Sequence, residues 1–301
     1  MGNDQYHPND FVYGPGARSD GMTHYGLRGR MIRMPYKNKE IKERPFYLFG
    51  AFILTVFLFL YPSSTVMAER VTMVTNVGKI HVLLFDDIAP VTVANFMNYI
   101  GEGKYRNTLI HRSVPGFVIQ GGGYVLDGST IYTVQKNAPI VNEFHLSNLR
   151  GTIAMAKLAG NPDSATSEWF FNLGDNSENL DYQNGGFTVF GRVTDQSLAV
   201  IDAIAALPIY DLSNNLGPAF RYLPLVNAQY LVIVTDMIYA GDINNDKSVD
   251  LADAVRGLQM TAGIPGQTVN LDAEVNNDGR IGVEEVIYIL QKLSRLRSNS
   301  P

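Results

Sequence analysis

The stretch "HRSVPGFVIQGGG" (His111 to Gly123) sets one guanidinium beside a Pro-Gly turn, an apolar run, an amide side chain and three glycines. No Ser-His-Asp set, Cys nucleophile or phosphate-loop Lys accompanies it. What one guanidinium, an apolar patch and an amide side chain could do together is the question the stretch raises. A second kind of chemistry is written near the end of the chain. "DINNDKSVDLADAVRGLQ" (Asp242 to Gln259) lines up with "EVNNDGRIGVEEVIYILQ" (Glu274 to Gln291), an internal repeat. Asp242, Asn244 and Asp246, and then Glu274, Asn276 and Asp278, fall at positions 1, 3 and 5 of a twelve-residue loop. Ser248 and Arg280 hold position 7, Asp250 position 9, and Asp253 or Glu285 position 12. A hard cation needs many converging oxygens, and this is calcium-loop spacing.

Elements must position these groups. From Val71 the pattern is that of strands. "GKIHVLLF" alternates imperfectly, and "DDIAPVTVANFMNYI" switches to helical spacing with Val93, Phe96, Met97 and Ile100 on one face and Asp87 as its expected N-cap. Short runs bounded by Gly, Pro and Asn follow: "FVIQGG", "TIAMA", "WFFNL", "FTVFGRV" and "YLVIVTDMIY". "DQSLAVIDAIAAL" reads as a second helix. This pattern predicts a mainly β fold, a closed antiparallel barrel with two capping helices. In the repeat, a helix follows each loop. Leu251, Ala254, Val255 and Leu258 share one face of the first, and Val283, Val286, Ile287 and Leu290 one face of the second.

The blocks "HRSVPGFVIQGGG", "GTIAMAKLAGNPDSATSEWFFNL" and "LDYQNGGFTVFGRV" occur in an order and at separations that resemble the bacterial cyclophilins, peptidyl-prolyl cis-trans isomerases. The resemblance covers roughly Val71 to Tyr239. It implies Arg112 as the catalytic arginine, acting with Phe117, Gln120 and Phe170. It implies further that Val118, Leu180 and Phe187 line the proline pocket, and that Ala156 and Glu168 meet the substrate chain. No cofactor is implied for catalysis. Barriers at X-Pro bonds come from amide resonance, and a twisted amide regains a pyramidal nitrogen that a guanidinium can address. Val118 stands where many members have Met, Glu168 where many have Gln, and Trp169 where Phe is usual. Asn179 falls where the best-known eukaryotic members carry Trp, which counts against tight cyclosporin binding. His81 and His111 are expected to be structural. The alternative is a non-catalytic module that holds proline segments as a chaperone or scaffold; Arg112 speaks against it.

The duplicated loop and helix resemble a dockerin domain, which implies structural Ca2+ and a cohesin-like partner. Lys247 stands at position 6 of the first loop, where Gly usually makes a left-handed turn. Gly282 offers no side chain at position 9 of the second.

The chain has 301 residues, 46% of them hydrophobic, and no Cys, so disulfides and thiol chemistry are excluded. Net charge is −5 overall and −8 over residues 69–301, which gives no support to a nucleic-acid partner. "FYLFGAFILTVFLFLY" (Phe46 to Tyr61) follows a basic flank and precedes Val66-Met67-Ala68. This predicts a signal peptide over 31–68, cleaved after Ala68, and an exported protein; an uncleaved segment would make it a membrane anchor. Residues 1–30 are unassigned, possession of an over-extended start being one reading. The expected domains are then 69–240 for the barrel and 241–295 for the helical module, with a tail at 296–301. Clients are expected to be proline-containing polypeptides.

Overall fold

The computed structural model describes residues 69–298 apart from 228, 267 and 277. The expectations for residues 1–30 and for the signal segment 31–68 lie outside the described residues. Among the described residues no helix is long and apolar enough to cross a membrane.

The first part of the described chain runs β1 (Arg70–Thr75), β2 (Lys79–Leu84), α1 (Pro90–Gly101), β3 (Thr108–Val114), β4 (Val118–Asp127), β5 (Thr130–Thr133), β6 (Thr152–Met155) and β7 (Trp169–Asn172). It continues with α2 (Ser177–Leu180), β8 (Val189–Val193), α3 (Asp195–Ala205), β9 (Ile209–Tyr210), α4 (Ser213–Leu216), β10 (Leu223–Val226), β11 (Tyr230–Leu231) and β12 (Ile233–Tyr239). The helices α5 (Leu251–Thr261) and α6 (Val283–Ser298) complete it. Strands join in the order β3-β12-β1-β2-β8-β6-β7-β4, and β4 pairs back onto β3. That closes an eight-stranded barrel, antiparallel at every seam and without an open edge among those eight. β5 extends it as a hairpin on β4.

Alternation explains which side chains enter the barrel. Ile80, Val82 and Leu84 of β2 are buried while Lys79, His81 and Leu83 are not. Met73, Ile110, Ile119, Ile153, Phe171 and Phe190 join them in one core, together with Phe96, Tyr99 and Ile100 of α1 and Ile201 and Ile204 of α3. Each such side chain contributes about 1.5–3 kcal/mol of burial. Both expected helices are present. The expected N-cap Asp87 is not the cap: α1 begins after Ala89 with Pro90 in its first turn. The carboxylate of Glu143 takes over that task from across the chain, accepting from the N–H groups of Val91 (3.1 Å) and Thr92 (2.7 Å). Proline fixes the start there because it needs no hydrogen-bond acceptor.

The C-terminal helices turn out differently from their expected faces. Ala254 and Val286 point inward, whereas Leu251, Val255, Leu258, Val283, Ile287 and Leu290 are exposed. The inward layer consists of Ala240, Ile243, Ala254, Ile281, Val286, Tyr288 and Ile289. Gly257 lets the helices approach, since a Cβ there would meet Val286 at 2.8 Å. α6 runs on to Ser298, past the expected boundary at 295.

This helical part belongs to the same compact unit as the barrel. Lys292 pairs with Glu69 at 2.6 Å, and Lys79 with Asp272 at 2.6 Å. The Arg70 guanidinium donates to the carbonyl of Val275, and the N–H of Gly241 to that of Ala273.

Candidate active site

Register brings the expected residues together. Arg112 on β3 sits opposite Gln120 on β4, and Gln120 in turn opposite Phe170 on β7. Phe117 caps the turn between β3 and β4, with the Arg112 guanidinium carbon 6.0 Å from its ring centre. Val118, Phe170 and Leu180 are buried in an apolar cluster of their own, with Phe117, Ala156 and Phe187 packed against it. Phe170 and Phe187 meet edge to face at 5.8 Å. All nine expected isomerase positions thus fall in one neighbourhood. The sequence reading missed four members of that cluster, Phe85, Leu146, Ala154 and Val189. Phe85 and Leu146 lie outside the three quoted blocks, whereas Ala154 and Val189 lie inside them and show their place in the cluster only through strand register.

Polar groups fix the rim. Arg112 donates to Oε1 of Gln120 at 3.3 Å, and Nε2 of Gln120 donates to Glu168 at 2.9 Å. Burial draws the Arg112 pKa down, yet a guanidinium remains charged at neutral pH. His111 is 2% exposed, stacked edge-on against Tyr124 at 4.9 Å. Burial first, and then the charge of Arg112, pushes its pKa down to about 4. Its Nε2 lies 3.6 Å from Glu168, but a neutral imidazole makes that a polar contact and not an ion pair. Another residue the sequence did not single out is Lys157. Its ammonium donates to Asn142, to the carbonyls of Asn184 and Gly186, and lies 5.0 Å from the Phe187 ring centre. It ties down the loop that carries Phe187, and burial pushes its pKa down to about 8. A cavity of about 300 Å³ opens beside Gln120, between Ala156, Leu158, Lys136 and Glu168.

The arrangement is a charged donor held at the edge of an apolar surface. No nucleophile aligned with a base lies among these residues.

The C-terminal loops form a second polar centre. Asp242, Asp253 and Glu285 are fully buried, and Glu274 nearly so. Their carboxylates accept loop N–H groups: Asp242 from Asp246 (3.0 Å) and Lys247 (3.1 Å), Asp253 from Asn244 (2.9 Å) and Asp250 (2.9 Å). The second loop repeats the pattern, Glu285 accepting from Val275 (3.0 Å) and Gly282 (2.7 Å), and Glu274 from Gly279. Asp246 and Asp278 bond back to Ser248 and Arg280 and hold Asn244 and Asn276. Asp250 instead caps α5 through the N–H of Ala252. Burial, opposed by the loop N–H groups and reinforced by Asp253 and Asp246, pushes the Asp242 pKa up to about 6. Among the described residues no three His, Asp or Glu side chains converge closely enough to cage an ion. Buried carboxylates that repel one another nonetheless fit a cation held partly by Asn and backbone oxygens. Lys247 adopts the left-handed conformation (φ 71°) expected of position 6. Its ammonium leaves the loop, reaching Asp236 of β12 at 3.1 Å.

Comparison with known proteins places the barrel. The family described as "Cyclophilin type peptidyl-prolyl cis-trans isomerase/CLD" matches residues 70–218. A peptidyl-prolyl cis-trans isomerase of Acinetobacter baylyi is 42% identical over 141 residues, covering 46% of this chain and 72% of that one. Peptidyl-prolyl cis-trans isomerase A of Dickeya dadantii is 39% identical over 169 residues, 55% of this chain and 83% of that one. Peptidyl-prolyl cis-trans isomerase B of Escherichia coli is 44% identical over 142 residues, 44% and 82% respectively. The chain belongs to the cyclophilin-type peptidyl-prolyl cis-trans isomerases and is an enzyme of that class.

Proposed function

We propose that Arg112 is the catalytic group and that the protein is an exported isomerase of X-Pro bonds in folding polypeptides, with a calcium-stabilised C-terminal module. The observation that carries the site is the Arg112 guanidinium, desolvated and tied to Gln120 at the rim of the cluster around Phe170. Phe117, Val118, Phe170, Leu180 and Phe187 hold the proline ring and strip water from the amide. Ala156 presents backbone to the chain. Arg112 then donates to the prolyl nitrogen as it becomes pyramidal, an interaction stronger in the twisted state than in the planar one. No proton leaves the arginine. Arg112→Ala should lower kcat/KM on an X-Pro peptide by about 10²-fold, near 3 kcal/mol. Unchanged activity would overturn the assignment.

The resident ion would be Ca2+, held by Asp242, Asn244, Asp246, Asp253 and the backbone at Ser248 in one loop, and by Glu274, Asn276, Asp278, Glu285 and the backbone at Arg280 in the other. It would supply positive charge to carboxylates that are already buried. Two exposed stripes, Leu251-Val255-Leu258 and Val283-Ile287-Leu290, repeat the same i, i+4, i+7 pattern on the two helices. They support a dockerin-like role with a cohesin-like protein covering them. Export rests on the segment 31–68, and mature protein from the native host should begin at Glu69.

A further inference from the structure

We infer that Glu168 is a positioning residue that acts on Arg112 through Gln120, held in place by Gly123. The polarity of the chain of hydrogen bonds is the reason. A guanidinium only donates and a carboxylate only accepts, while an amide has one end of each kind. Gln120 therefore has a single orientation that satisfies both neighbours, with Oε1 toward Arg112 (3.3 Å) and Nε2 toward Glu168 (2.9 Å). An amide side chain at 168 could also accept from Gln120 through its carbonyl, but it is itself free to turn its donor end that way. The carboxylate removes that freedom, and the guanidinium is left with one fixed acceptor.

The three glycines after Gln120 fit this arrangement. A Cβ on Gly121 would meet the Trp169 ring at 2.9 Å, and one on Gly122 would meet the carbonyl of Ser167 at 2.5 Å. A Cβ on Gly123 would lie 2.8 Å from the carboxyl carbon of Glu168. The first two make room for Ser167 and Trp169, which flank Glu168, and the third makes room for its carboxylate. Gly123 has no left-handed backbone requirement, so alanine there displaces the flexible end of Glu168 without forcing the strand. Lys136, 3.9 Å from the other carboxylate oxygen, and neutral His111 hold Glu168 from the sides.

The inference rests on Arg112 as the acting group, so Arg112→Ala is assayed alongside. In the full chain, kcat and KM on an X-Pro peptide are measured for Glu168→Ala, Glu168→Gln, Gly123→Ala and the Glu168→Ala/Gly123→Ala pair. Misplacing a catalytic group by a fraction of its reach is expected to lower kcat about 5- to 10-fold in Glu168→Ala, with KM held within about twofold. Gly123→Ala should show the same loss, and the double variant should be no worse than either single, because both act on one contact. Glu168→Gln should recover most of the activity, since its carbonyl can still accept from Gln120. The emission of Trp169, the sole and fully buried Trp, reports that the barrel is intact in each variant. Loss in Arg112→Ala with parental kcat in Glu168→Ala overturns the positioning role and leaves the arginine assignment standing. A rise in KM alone, or additive losses in the double variant, also overturns it. If Gly123→Ala disturbs the Trp169 emission, the contrast between Glu168→Ala and Glu168→Gln decides: equal loss in the two overturns the inference.

Discussion

Burial treats His111 in the barrel and Asp242 in the C-terminal loop alike, disfavouring the charged form of each, and the two regions answer in opposite ways. His111 is pushed down to about 4 and sits neutral in its aromatic surroundings at physiological pH. Asp242 is pushed up only to about 6 and so keeps its charge at pH 7, within a loop that buries Asp253 as well. The barrel site is internally balanced, a guanidinium linked by one amide to one carboxylate. The loops hold like charges offset by backbone N–H groups and the amides of Asn244 and Asn276. A balanced site can be rigid without a ligand, whereas a site of one sign gains stability from a cation.

The sharpest test of the barrel side is acid. Between pH 6.5 and about 4 the unfolded chain binds a proton at His111 that the folded chain refuses. Stability therefore rises with pH across that window and is lost as pH falls through it, by about 3 kcal/mol at full extent. Urea unfolding at pH 7 and pH 4 should show the parent losing about that much more than His111→Gln. Equal losses would place the imidazole in a wetter setting than the structure gives it.

On the loop side the reagent is calcium. An ion that binds only the folded state raises stability by about 2.7 kcal/mol at a hundredfold excess over its dissociation constant. Thermal unfolding of the full chain with calcium and with a chelator should differ accordingly, and Asp246→Ala with Asp278→Ala should erase the difference. Persistence of the shift in that double variant would make the loops ordinary turns.

The smallest effect concerns the seam between the regions. The Glu69–Lys292 pair is about three-quarters or more buried on each side, but it still lies near solvent, so Lys292→Ala should cost no more than about 1 kcal/mol. Salt should shrink that cost further. A much larger penalty would mean that the helical module and the barrel unfold through this contact as one.

Much of the barrel was legible because alternation and turn residues mark strands directly, and the ordered blocks around Arg112, Phe170 and Phe187 carried the family. Less was legible where residues lack local pattern. Leu146 lies outside every patterned run and joins the apolar cluster only in the fold, and Lys157 finds its oxygens only when the loop at 184–186 folds over it. The Asp87 cap failed for a similar reason, since the group that satisfies the first turn of α1 is Glu143, about fifty residues away.

The sequence by itself determined the residue types at the site, the strand periodicity and the duplicated loops, because each is a local property of spacing. Tertiary structure alone decided which apolar face of α5 and α6 goes inward, and the reason is geometric. Ile243 and Ile281 come from the loops and join Ala254, Val286, Tyr288 and Ile289 in the inward layer, where Gly257 leaves room for Val286. Leu251, Val255, Leu258 and their repeats are left facing out. Lys247 shows the same division. Its left-handed turn looked like a defect in the loop, and only the fold shows its ammonium bonded to Asp236 on β12, where a glycine would have nothing to offer.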